Sequence, residues 1–302
     1  MRKAKICIIG PGVVGQATGK VLALQGFDIT FLGGSQDKRD KLVKEGYKAY
    51  DRDKYFDGEF NFDISILTVP TPSINGKTNL DAIKDASIAL GKRLAKKKDY
   101  HLVVVKSTVP PGTTENVVIK NIEKYSGRKI GRDFGACMCP EYLREKTAYE
   151  DSLKPWITVI GEYDKRSGDM LSEVFSGFDC PIFRCSLREA ELQKYVHNLF
   201  NAAKITFFNE MRGIGKTIGA DMDKVFKLTA LSCEGMWNQN YGIRDFGPFS
   251  GSCLPKDTEA FLDWAQSKGH DPKLLRAIIE TNNQLIESLG LKQNTFKIGL
   301  NM

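Results

Sequence analysis

The chain has 302 residues, 41% of them hydrophobic, enough for one large or two ordinary domains with true cores. Its 44 basic and 37 acidic residues leave a net charge of +7, scattered rather than gathered into arms or tracts. Such a distribution reads against a nucleic-acid partner and suits a small anionic ligand, and no apolar run approaches a membrane span, so no membrane partner is expected.

Lys5 to Ile9 is a short β-branched run that ends in the turn Gly10-Pro11-Gly12-Val13-Val14-Gly15, and a helical pattern follows through Gln25. This is strand, glycine turn, helix. Further strands are predicted over residues 27–32, 62–69, 101–106, 134–139, 156–160 and 181–185, separated by helix-like segments rich in Lys, Ala and Leu. Short apolar strands alternating with helices predict an α/β fold with a Rossmann-like, doubly wound parallel sheet. From Leu187 about thirty residues keep helical periodicity without a proline, and helices dominate from there to Leu289. The expected division is therefore residues 1–186 as a dinucleotide-type domain, 187–290 as a helical domain on a long central helix, and 291–302 as the start of something further. Gly219 and Asp221 read as a helix end and the next cap. The seven cysteines show no paired metal spacing, so no metal is expected, and they read as reduced thiols of a cytoplasmic protein.

Gly10, Gly12 and Gly15 stand where a dinucleotide fingerprint needs them, after a strand and opening a helix. The first permits the turn, the second lets the backbone approach a pyrophosphate, and the third lets helix and strand pack closely. The acidic residue expected after the second strand is missing. In its place stand Leu32, Gly33, Gly34 and Ser35, followed by Lys38 and Arg39. A hydroxyl and bases without a carboxylate are compatible with a 2′-phosphate and hence NADP; an ordinary solvated helix start explains them equally well. Three rigid, proline-bearing loops fall at the ends of later strands: Thr68-Val69-Pro70-Thr71-Pro72, the run from Lys106 through Ser107 and Thr108 to Thr114, and Cys139-Pro140-Glu141-Tyr142-Leu143-Arg144-Glu145. Their recurrence on one sheet edge points to a shared site. On the long helix Lys194 and Asn198 are spaced i, i+4 with Glu191 at i−3, which could equally be a solvated Glu–Lys pair. Cys253 lies in the run FSGSCLPKD. Pro255 suits the first turn of a helix, and a thiol there, beside Lys256 and the positive end of the helix, favours the thiolate; Asp257 lies one turn on.

Taken in order and spacing, GPGVVG, TVPTP, KSTVPPGTT, PEYLREKTAYED, EAELQKYVHNLFNAAKITFFNE, GAD and SCLPKD resemble the UDP-glucose/GDP-mannose dehydrogenase family, over about residues 3–290. The resemblance implies a homodimer built through the long helix. It implies oxidation of a nucleotide sugar's primary alcohol to a carboxylate, with NAD (or NADP) used twice and UDP-glucose as the first substrate guess. Cys253 then matches the family's nucleophile, which traps an aldehyde as a thiohemiacetal and becomes a thioester. Lys194 and Asn198 would donate to the oxygen, Asp257 and Thr108 would hold a water, and Glu141 would serve as base. Fingerprint, strand-end loops and resemblance together put the cofactor on Gly10, Gly12, Val13, Val14, Gly15, Thr68, Pro70, Thr71, Ser107 and Thr108, with Ser35 and Lys38 standing where the ribose carboxylate is missing. The resemblance places the sugar nucleotide on Glu141, Tyr142, Leu143, Glu145, Lys194, Asn198, Phe249, Gly251 and Lys256.

Three departures from the family pattern stand out. Pro248 and Ser250 replace glycines before the cysteine, which restricts backbone angles where a sugar would lie. The ribose carboxylate is missing. Family members also continue into a second Rossmann-like domain about where this sequence stops. Two other readings therefore stay open: a two-electron hydroxyacid-type dehydrogenase with no use for the thiol, and a nucleotide-sugar or cofactor-binding protein with little or no turnover.

Overall fold

The structure, a computed structural model, describes residues 3–55, 60–243, 247–250 and 253–291. Two compact units divide it, Met1–His197 and Asn198–Met302. In chain order the first unit comprises β1 (Lys5–Ile9), α1 (Val13–Leu24), β2 (Asp28–Leu32), α2 (Gln36–Lys44), β3 (Lys48–Tyr50), α3 (Arg52–Tyr55) and β4 (Ile64–Leu67). A small hairpin follows, β5 (Ser73–Ile74) and β6 (Lys77–Thr78), then α4 (Asp81–Leu94), β7 (His101–Val105), a wide helical turn over Thr114–Ile119 running into α5 (Lys120–Ser126), and β8 (Phe134–Met138). The unit closes with α6 (Ala148–Leu153), β9 (Thr158–Glu162), α7 (Lys165–Phe175), β10 (Ile182–Ser186) and the start of α8 (Leu187–Thr217).

Eight strands form one sheet in the order β10-β9-β8-β7-β4-β1-β2-β3. Runs such as Lys5–Ile9 and Ile64–Leu67 are apolar at nearly every position because helices cover both faces, so no polar alternation is called for. Two buried clusters result, one around Leu67, Val103 and Phe134 and the other around Ile8, Phe31 and Val104. The chain lays down β1, β2 and β3 outward, then returns to place β4 on the other side of β1. Connections leaving β1 and β4 thus diverge, and a crevice must open at the carboxyl ends of these two strands.

The expected parallel sheet holds from β3 to β8, but β9 runs antiparallel to β8, with Cys137 opposite Glu162 and Met138 opposite Gly161. The cause lies in the connection over residues 139–157, which holds only a short 3-10 turn (Glu145–Thr147) and a six-residue helix and re-enters the sheet from the edge where β8 left it. The carboxyl ends of β9 and β10 therefore point away from the crevice. Strand β3 and the hairpin are additions to the predicted elements. Lys48–Tyr50 is too short and polar to read as a strand without its register against β2.

Leu187 and Ala190 of α8 are buried in the core of the first unit, while the helix from Asn198 onward belongs to the second. That unit continues with α9 (Met222–Ser232), α10 (Glu234–Trp237), α11 (Leu254–Ser267) and α12 (Lys273–Ser288). Gly219 takes the left-handed conformation with φ +70° after α8, and the Asp221 carboxylate accepts from the N–H groups of Asp223 and Lys224 at 3.1 Å to cap α9. Glu210 accepts from Leu274 N–H at 3.0 Å and so fixes the start of α12. The expected start of a further segment, residues 291–302, lies outside the described residues except for Leu291. Among the described residues no helix is long and apolar enough to cross a membrane.

Candidate functional site

Ladder hydrogen bonds carry past the strands and align their exits: Gly10 N–H donates to Leu32 O at 3.0 Å, Thr68 N–H to Ile9 O at 2.9 Å, and Lys106 N–H to Leu67 O at 2.9 Å. The loops after β1, β2, β4 and β7 consequently stand side by side. They enclose a cleft of about 690 Å³ that the loop after β8 reaches through Glu141.

Each glycine of the turn has a distinct reason to lack a side chain. Gly10 sits at φ +100°, and a Cβ on Gly15 would come within 2.5 Å of both Gly10 O and Thr68 Oγ1. Gly12 differs, because a Cβ there would meet no protein atom within 4 Å. Its missing side chain leaves the start of α1 open to the cleft, which is the arrangement that receives a phosphate against helical N–H groups and the helix dipole. Around it Thr68 Oγ1 donates to Gly10 O at 2.8 Å, Ser107 Oγ to Val69 O at 2.6 Å, and Thr71 Oγ1 to Thr108 O at 2.6 Å. These bonds tie the three loops into one rigid cradle, and its open turn and interlocked walls fit a dinucleotide.

Of the residues assigned to the cofactor by sequence, Gly10, Gly12, Val13, Val14, Lys38, Thr68, Pro70, Thr71, Ser107 and Thr108 line this cleft. Gly15 lies beneath it as packing, and Ser35, exposed at the start of α2, is not part of the lining. Asp51, Arg52, Asp53 and Lys106 line the cleft without having been singled out. The first three follow the unpredicted strand β3. Lys106 is buried, and its ammonium donates to Cys139 O at 3.4 Å.

Behind Glu141, which lines the cleft, the Lys194 ammonium, 4% exposed, donates to the backbone oxygen of Glu141 and lies 3.4 Å from Glu141 Oε1. The other carboxylate oxygen of Glu141 accepts from Leu143 N–H at 2.6 Å, which orients the group. The Lys194 ammonium also lies 5.3 Å from the Tyr142 ring centre, and that phenol donates to Gln193 Oε1. Burial pushes the Tyr142 hydroxyl up and holds the His197 imidazole, 4.8 Å away ring to ring, below its ordinary value. Tyr142 and Leu143 turn away from the large cleft into a separate cavity of about 50 Å³ shared with Lys106, Thr18 and Trp156. The loop is pinned at its far end by Asp151, which accepts from Arg144 at 2.6 and 3.0 Å, and the guanidinium holds that carboxyl far below the usual range. The side chain of Glu145 is outside the described set.

The carboxylate one turn before Lys194 on the helix has other partners. Glu191 is fully buried and accepts from the N–H groups of Gly112 and Thr114, the latter at 2.7 Å. It thereby locks the Thr108 loop and the helical segment after it onto α8, and burial raises its pKa above the ordinary value. Sequence offered no sign of this, since the partners are backbone amides 77 and 79 residues away.

Asn198, Phe249, Cys253, Lys256 and Asp257 belong to the second unit. Cys253 caps α11 as expected, is exposed, and accepts at its carbonyl from Asp257 N–H at 2.9 Å. Lys256 pairs with the Asp257 carboxylate, which raises the lysine's pKa. The loop before the cysteine is held by an unpredicted residue: Asn282 Oδ1 accepts from Phe249 N–H at 2.8 Å and Asn282 Nδ2 donates to Phe249 O at 3.1 Å. Pro248, Phe249 and Ser250 line a crevice of about 1100 Å³ with Tyr241, Leu254 and Asn282. Among the described residues the left-handed non-glycine is Asn75, so Pro248 and Ser250 sit in ordinary backbone regions and Gly247, at φ +70°, makes the turn. Gly251 lies outside the described residues.

The chain matches the models of two domains of one family: the UDP-glucose/GDP-mannose dehydrogenase NAD binding domain over residues 54–179 and its central domain over 188–284. It is 36% identical to the GDP-mannose 6-dehydrogenase of Pseudomonas syringae pv. tomato, with 94% of this chain and 69% of that protein covered. It is 33% identical to a UDP-glucose 6-dehydrogenase of Haloferax volcanii, covering 92% and 69%. Among solved structures, a ternary complex of GDP-mannose dehydrogenase from Pseudomonas aeruginosa superposes with a TM-score of 0.88 at 34% identity, covering 94% of this chain and 69% of that one.

Proposed function

The chain belongs to the UDP-glucose/GDP-mannose dehydrogenase family, and on that footing we propose that it is a nucleotide-sugar 6-dehydrogenase that carries a primary alcohol to the carboxylate. The observation that supports this best is the single cleft lined by the glycine turn, Thr108 and Glu141, whose carboxylate lies 3.4 Å from the Lys194 ammonium. A bound NAD would accept one hydride from the alcohol carbon and a second, after exchange, from the trapped aldehyde. Gly12, Val13 and Thr68 would hold its pyrophosphate end.

The side chains then have separate tasks. Lys194 and Asn198 donate to the substrate oxygen as negative charge builds on it. Glu141 takes the hydroxyl proton. The Cys253 thiolate forms a C–S bond with the aldehyde carbon, which gives a thiohemiacetal and, after loss of the second hydride, a thioester. A water held by Asp257 and Thr108 breaks that C–S bond, releasing the carboxylate and the thiol. Phe249, Gly251 and Lys256 meet the sugar nucleotide. The exposed apolar side chains Leu199, Phe200 and Ile205 on α8 support a homodimer formed through that helix.

Incubation with UDP-glucose or GDP-mannose and NAD should yield about two NADH per sugar consumed, and the sugar that turns over identifies the substrate. One NADH per substrate would favour the hydroxyacid-type reading. Cys253→Ser should abolish carboxylate formation, and undiminished steady turnover in that variant would end the thioester mechanism.

A further inference from the structure

Asp51 stands where the cleft meets the outer edge of the sheet, and we infer that it supplies the carboxylate for the adenosine ribose and makes the chain select NAD over NADP. This rests on the cofactor reading of the cleft given above.

The usual position for such a carboxylate, just past β2, cannot serve here. Gly33 and Gly34 occupy it with φ of +95° and +79°, where an aspartate would be strained. The neighbouring strand fills the gap. Leu32 is in register with Tyr50, and Gly33 N–H donates to Tyr50 O at 2.9 Å, so residue 51 leaves the sheet beside residue 33. Asp51 lines the same cleft as residues 10–14, and a Cβ on Gly34 would lie 3.0 Å from Pro11 of the glycine turn, so the two loops are in contact.

The carboxylate is fixed and ionised. Its Oδ1 accepts from Asp53 N–H at 3.1 Å and Lys54 N–H at 3.2 Å, and its Oδ2 lies 3.6 Å from Arg39. The N–H of Lys54 and then the Arg39 guanidinium hold it below the usual carboxylate range. Oδ2 keeps acceptor capacity for a diol, which brings two O–H donors. The nearby guanidiniums are already committed. Arg39 donates to Gly34 O and to Gln36 Oε1 at 2.7 Å besides facing Asp51, and Arg52 donates to Asp53 at 2.8 Å. A 2′-phosphate placed here would face Asp51 and Asp53 with both guanidiniums engaged, and Lys38 of the same cleft sets a single charge against those two carboxylates, so repulsion would disfavour it.

Calorimetry on the full chain with NAD and with NADP tests this without any turnover. The wild type should bind NAD at least about 30-fold more tightly, and Asp51→Ser, whose hydroxyl can still receive the Asp53 and Lys54 amides, should reduce that ratio at least about tenfold. Asp51→Asn should act in the same direction, and circular dichroism should match wild type for both variants. NADP binding as tightly as NAD to the wild type, or a ratio unchanged in both variants, overturns the assignment. Tight NADP binding lost in Lys38→Ala would show that the cation, not the carboxylate, selects. Failure of the wild type to bind either dinucleotide would sink the cofactor reading itself, and this inference with it.

Discussion

Replacing Glu191 tests whether the Thr108 loop is held by one buried carboxylate. In Glu191→Ala the amides of Gly112 and Thr114 lose their acceptor in a site where Glu191 itself is fully buried. A buried amide left without a partner costs about 1–3 kcal/mol, so the two together set a gross loss of about 2–6 kcal/mol. Part of this is offset, because the raised pKa of Glu191 means that burial penalises its charge more than the two amides repay. A net destabilisation of about 2–4 kcal/mol follows, and Glu191→Gln, which keeps one carbonyl acceptor, should lose about 1–2 kcal/mol. Urea unfolding gives the totals, and amide exchange at Gly112 and Thr114 locates them. A loss under about 0.5 kcal/mol in the alanine variant, with both amides still protected, would refute the argument.

The glycine turn makes a paired prediction. Gly12→Ala should leave stability within about 0.5 kcal/mol, since φ −77° and ψ −163° suit alanine and its Cβ meets no protein atom, yet weaken NAD binding at least about tenfold. Gly15→Ala, with its Cβ 2.5 Å from Gly10 O, should destabilise by about 1–3 kcal/mol, and equal effects of the two on stability would contradict the division of roles. His101 sits fully buried between Ser65 Oγ at 2.8 Å and Phe62 O at 3.0 Å, and burial pushes its pKa from 6.5 down to about 3. A depressed folded value means that its contribution is complete above pH 6.5 and is lost on acidification at about 1.4 kcal/mol per pH unit until about pH 3. Near pH 5 the loss should be about 2 kcal/mol, and an imidazole NMR titration midpoint near 6.5 in the folded protein would disprove it. Asn282→Ala removes both hydrogen bonds to Phe249 and should cost about 1–2 kcal/mol while raising KM for the sugar nucleotide more than it lowers kcat; an unaltered KM would disconnect that loop from substrate binding.

Much of this protein is legible without coordinates because the information is local. A β-branched run followed by glycines at 10, 12 and 15 can only be a strand feeding a helix through a turn, and proline at 255 together with Asp221 marks two helix starts. What escaped the sequence depends on partners far along the chain. Glu191 looks like half of a helical ion pair until its amide partners at 112 and 114 are seen, and Lys194 takes its carboxylate from Glu141, 53 residues earlier. β3 reads as nothing until β2 supplies its register, and with it came Asp51, which no spacing rule could have placed beside the glycine turn. Periodicity and turn chemistry determine which elements exist, since they act within a few residues; the direction of β9 and the choice of partner for each buried charge were decided only in the folded chain, where burial allows a charge to persist beside whichever donor the packing brings to it.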